Sequence, residues 1–168
     1  MDARRMLDAL SAATGRIGAA AARVLGRGAA EPGAVAEGKA PSPDAILDLG
    51  RLDEDEATFL VRVMVAAAAA EGVVTAEERA RLIEGMRDAG LDPDDAAWLE
   101  NEMRWPMDIE EIADRVATPE AAARAYAAAR LAIEPDTMQE RAFLQILAER
   151  MDLGDAERAR IETAARSG

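Results

Sequence analysis

The chain has 168 residues, enough for one domain with an appendage, and 33 acidic against 20 basic residues leave a formal charge of −13. It has no Cys and no His. That excludes disulfides, thiolate chemistry and the Ser/His and Cys/His nucleophile systems, removes the usual zinc ligand, and argues against an enzyme. Half of the residues are hydrophobic but only 3% are aromatic, and the excess of Ala, Leu, Glu and Arg over strand formers predicts an all-α fold.

The first part of the chain is basic. Residues 1–30 carry Arg4, Arg5, Arg16, Arg23 and Arg27 against Asp2 and Asp8, a net of +3, which leaves −16 on the rest. Within residues 1–25 the residues Ala3, Met6, Leu10, Ala13, Ile17, Ala20 and Val24 recur at steps of three and four, one stripe of an amphipathic helix weakened by Gly15 and Gly18. A basic amphipathic helix can lie on an anionic membrane surface or pair with a partner helix; the alternatives are a frayed helix and one that folds back on the domain. Arg16 and Arg23 interrupt any apolar core of signal-peptide type. Residues 26–44, GRGAAEPGAVAEGKAPSPD, have no periodicity and read as a flexible Gly/Pro/Ala linker.

Residues 45–168 read as a compact bundle of about seven helices. The first runs from about Glu54 to Ala70 with Phe59, Leu60, Val63, Met64 and Ala67 inward. A Thr75/Glu78 capping box opens the second, Ala76–Ala89, and Gly90 closes it. Asp92 and Pro93 open the third, which ends at Trp105-Pro106. A short fourth helix follows Asp108, with Ile109, Ile112 and Val116 on one side. Thr118-Pro119 opens the fifth, with Ala122, Ala125, Tyr126, Ala129 and Ile133 inward. A Thr137/Glu140 box opens the sixth, with Phe143, Leu144, Leu147 and Met151 on its stripe, and Gly154-Asp155 leads into the last, carrying Ile161 and Ala164.

Two of these units are copies. At one offset, Ala70, Thr75, Glu78, Arg79, Ala80, Leu82 and Leu91 match Ala132, Thr137, Glu140, Arg141, Ala142, Leu144 and Leu153. Each copy is a helix end, an acidic elbow and a helix opened by T-x-x-E. Should the elbows meet, their carboxylates would repel unless neutralised by Arg or a cation, and oxygen-only ligands suit Ca²⁺, Mg²⁺ or Mn²⁺. The capping boxes, with Arg79 and Arg141 as neutralising groups, are the alternative account of the same residues. The elbows are too short for an EF-hand, and Val73 and Val74 supply no side-chain oxygen.

The stretch VMVAAAAAEGVVTAEERARLIEGMRDAGLDPDDAAWLENEM resembles the A-x-A-D-G-x-[IV]-x-x-[ED]-E core of TerB-like tellurite-resistance domains, and YAAARLAIEPDTMQERAFLQILAERMDL resembles their closing segment. The likeness is nearest to the YebE-like branch, whose opening DARRMLDAL also resembles. It implies a compact all-α fold and a role near the cell envelope in stress from metals or oxyanions. It also implies divalent-cation binding by acids that fall on Glu71, Glu78, Asp136 and Glu140; Glu71 stands where the family has Asp.

The expected function is therefore a non-catalytic interaction or sensing module, the alternative being a divalent-cation-binding protein. The partner is a protein or an anionic membrane surface met through residues 1–25. Nucleic acid is not expected, since an acidic body repels phosphate. No apolar run reaches the roughly 18 residues of a membrane span, Arg62 interrupting Phe59–Ala70. A cytoplasmic location is expected, with peripheral attachment to the inner membrane left open. Trp98 and Trp105 are read as core or lid residues in preference to interface residues.

Overall fold

Asp53 opens the first long helix: its side chain accepts the Glu56 amide at 2.8 Å, and Glu54, Asp55 and Glu56 fill the first turn, where the helix dipole favours acid. This helix, α1, spans Glu54–Ala68 in a computed structural model that describes residues 3–7, 10, 52–70 and 92–166, with 72, 76, 79, 80, 83, 84 and 87 as single positions. After it come α2 (Pro93–Arg104), α3 (Ile109–Arg115), α4 (Pro119–Ala132), α5 (Met138–Arg150) and α6 (Asp155–Arg166). Residues 3–7 and 10 are also helical, as are 76, 79, 80, 83, 84 and 87, and no strand occurs among the described residues. The fold is all-α.

Local chemistry sets the helix ends. Pro93 and Pro119 occupy first-turn positions behind Asp92 and Thr118, whose side chains accept the Asp94 and Ala121 amides. Asp108 and Glu111 form a reciprocal capping box on α3, and Thr137 and Glu140 form another on α5. The Leu153 amide bonds to the Ala148 carbonyl and the Asp152 amide to the Glu149 carbonyl, which closes α5 in a Schellman motif with Asp152 at φ 52°. The Thr75/Glu78 box, Gly90 and the linker at 26–44 lie outside the described residues.

The core is built on α1 and α4, which pack most extensively against each other; α6 covers α4, α2 leans on α1, and α5 packs on α3, α4 and α1. Leu60, Val63, Met64 and Ala67 of α1 are buried as expected, but so are Ala57, Val61, Val65 and Ala66. On α4, Ala122, Ala125, Tyr126, Ala129 and the capping Ile133 are buried, together with Ala123, Ala127 and Ala128. Both helices are thus enclosed on most sides. The alanines of α4 permit this, because interaxial distance depends on the side chains at the contact.

Ala3, Met6 and Leu7 are fully buried and Leu10 nearly so, in the same core as α1 and α4. The Ala3 amide donates to Glu54 Oε1 at 2.7 Å, and the Arg4 guanidinium donates to the Leu52 carbonyl. Of the arrangements open to the N-terminal segment, the described residues adopt folding back on the domain.

Candidate functional site

Tyr126 and Arg130 lie one helical turn apart on α4, and Glu162 meets both from α6. The Tyr126 hydroxyl donates to Glu162 Oε1 at 2.6 Å, and Arg130 Nε donates to Oε2 at 3.0 Å. Arg130 also donates through NH1 to the Ile133 carbonyl at 2.6 Å, at the end of α4. Burial, and then the bond and charge of Glu162, push the Tyr126 pKa up to about 12.

Arg130 thereby reaches into the second acidic elbow, where α4 passes into α5. The Asp136 amide bonds to the Glu134 carbonyl at 2.7 Å, Arg141 NH1 to the Pro135 and Asp136 carbonyls at 3.2 and 2.7 Å, and the Arg141 amide to the Thr137 carbonyl at 3.3 Å. Each carbonyl from Ile133 to Thr137 thus accepts a hydrogen bond, three of them from guanidinium groups. Guanidinium charge at these oxygens repels a cation.

Glu140 is buried, and its Oε2 accepts the Thr137 amide at 3.2 Å and the Thr137 hydroxyl at 3.0 Å. Asp136 lies in the same elbow with an exposed side chain. Glu71 and Glu78, the other two candidate cation ligands, lie outside the described residues. Among the described residues no three Asp, Glu, His or Cys side chains gather as a metal ion would require.

Two further ion pairs fasten neighbouring helices to α1: Arg62 Nε donates to Glu102 Oε2 of α2 at 2.7 Å, and Arg124 Nε of α4 to Glu56 Oε1 at 2.7 Å. These pairs and the Arg130–Glu162 pair went unread in the sequence. Their one local signal is a charged residue inside an apolar helix, and the partner lies 32 to 68 positions away.

A family model described as "Protein of unknown function (DUF533)" matches residues 3–165. The chain belongs to the DUF533 family. No curated protein and no solved structure matches it. The DUF533 match begins at the docked N-terminal turn and runs into α6, so it takes in both the turn and the bundle that buries it.

Among the described residues of this DUF533 protein three large apolar side chains are exposed: Trp105 at 73%, Met138 at 76% and Ile146 at 43%. Trp98 is partly buried against the core, in line with the sequence reading, whereas Trp105 is not. Trp105 is the C-cap of α2, its amide bonded back to the Asn101 and Glu102 carbonyls, and Met107 is the next apolar residue to enter the core. No helix among the described residues is long and apolar enough to cross a membrane.

Proposed function

We propose that this DUF533 protein is a TerB-like helical module of the YebE-like branch. It acts without catalysis, by binding a protein partner or sensing a stress signal, in the cellular response to metals and tellurite-type oxyanions. It works on the cytoplasmic side, with peripheral attachment to the inner membrane. The observation that carries the reading is the second elbow: its carbonyls are bonded internally, two arginines among the donors, and Glu140 caps its own helix. An elbow so arranged favours a corner of a scaffold over a cradle for a cation. The absence of His and Cys from the sequence adds support, because it removes the commonest general base and the strongest nucleophile.

The test is a strain lacking this chain, challenged with tellurite. Heightened sensitivity that the full chain restores would uphold the stress link; unchanged sensitivity would sink it. The alternative, a divalent-cation-binding protein using Glu71, Glu78, Asp136 and Glu140, would replace the module reading if the purified chain bound Ca²⁺, Mg²⁺ or Mn²⁺ through those residues.

A further inference from the structure

The residues that make the N-terminal segment amphipathic are the ones the core takes up. Met6 and Leu7 are fully buried and Leu10 is 6% exposed, while Arg4 and Arg5 stay at the surface. Two contacts fasten the turn to the start of α1. The Ala3 amide, one of the donors a helix N-terminus leaves without an internal partner, finds the Glu54 carboxylate, and Arg4 finds the Leu52 carbonyl. Both contacts join residues 48 or more positions apart, so closing this connection costs chain entropy that a local turn would not. Docked only across that long separation, the segment opens at lower free energy than helices held by near neighbours in sequence.

We propose that residues 3–7 and 10 of the N-terminal segment form a releasable latch, an inference that rests on the membrane-attached part of the reading above. Docked, the segment completes the core beside Leu52 and Glu54. Released, it binds an anionic lipid bilayer, Met6, Leu7 and Leu10 entering the acyl boundary and Arg4 and Arg5 meeting the headgroups. The two states exclude each other, because they use the same three side chains. Charge selects the surface: residues 3–10 carry Arg4 and Arg5 against Asp8, whereas the chain beyond residue 30 is net −16, so an anionic bilayer repels the body and attracts the freed segment.

Glu54 provides the test, since it holds the latch without belonging to the lipid-binding segment. Asp55, beside it in the first turn of α1, is an exposed acid of equal charge. Full-length wild type, Glu54→Ala and Asp55→Ala are sedimented with phosphatidylglycerol vesicles and with phosphatidylcholine vesicles, and amide exchange is followed at residues 3–10. Loss of one charge-assisted bond should accelerate exchange there and raise binding to the anionic vesicles by about tenfold in Glu54→Ala alone. Adding Met6→Asp should abolish that binding, and phosphatidylcholine should capture none of the proteins. The latch is refuted if Glu54→Ala and Asp55→Ala bind alike, if Glu54→Ala leaves exchange at 3–10 unchanged, or if it opens the segment without vesicle binding. Binding that is indifferent to lipid charge refutes the anionic surface. None of these failures touches the tellurite phenotype, which tests the module reading separately.

Discussion

Tyr126 and Glu162 share a 2.6 Å hydrogen bond between α4 and α6, and Arg130 closes the same carboxylate from one turn along. A fully buried hydroxyl in an alanine-rich helix would be costly to desolvate alone. Here it has a charged acceptor, and that acceptor has a cation. The three side chains fix how α6 lies on α4, and Arg130 carries the same constraint to the elbow that opens α5.

Tyr126 is the only tyrosine, so its ionisation can be followed without overlap from another. The unfolded chain should release the phenolic proton near 10.0 and the folded chain near 12. Between those values the folded state holds the extra proton, so stability should be flat below about pH 10 and fall as pH rises toward about 12. Phenolate absorbance tracked alongside helicity should show ionisation delayed until that range, and Tyr126→Phe should lose about 1–2 kcal/mol at neutral pH by leaving Glu162 short of one donor. Ionisation at an ordinary tyrosine pKa with helicity intact would contradict the buried pairing.

Arg130 serves two acceptors at once, the Glu162 carboxylate and the Ile133 carbonyl. Arg130→Ala should cost about 1.5–3 kcal/mol, the range for losing hydrogen bonds to a charged group, because Glu162 is only partly buried. Arg130→Lys should recover only part of it, since a single ammonium does not reproduce the guanidinium fork. Chemical denaturation of the three proteins measures this, and full rescue by Lys would show that charge alone matters at this position.

Asp152 sits at φ 52°, in the left-handed region, where it forms the Schellman close of α5; Gly154, two residues on, has no positive φ. Asp152→Gly should therefore stabilise the chain by about 0.5–1 kcal/mol, and Asp152→Val should destabilise it by more than that. Thermal melts of the two variants decide the sign.

The helix starts were legible where a residue type has one dominant use. Pro93, Pro119 and the Thr137/Glu140 pair each stand where helix-opening chemistry places them. The enclosure of α4 was not, because alanine is equally at home on an inner and an outer helix face, and a stripe of it has no unique direction. The amphipathic character of the N-terminus was readable from Ala3, Met6 and Leu10, but its docking depends on Glu54 and Leu52, which no periodicity connects to it. Likewise Arg141 was read as a neutraliser of carboxylates, whereas the structure spends it on the Pro135 and Asp136 carbonyls. The Asp152 close was hidden because Gly154 offers the more obvious left-handed residue.

The central claim is the proposal that the second acidic elbow is scaffold and that the domain acts without a bound cation. The most direct test is a thermal melt of the full chain in EDTA and then in Ca²⁺, Mg²⁺ and Mn²⁺, repeated with Glu78→Gln and Asp136→Asn. A cation that binds only the folded state would raise stability by about 2.7 kcal/mol at a hundred times its dissociation constant. The account predicts one melting temperature throughout for the wild-type chain. A rise with one cation, lost in either variant, would contradict it and make the elbows a metal site.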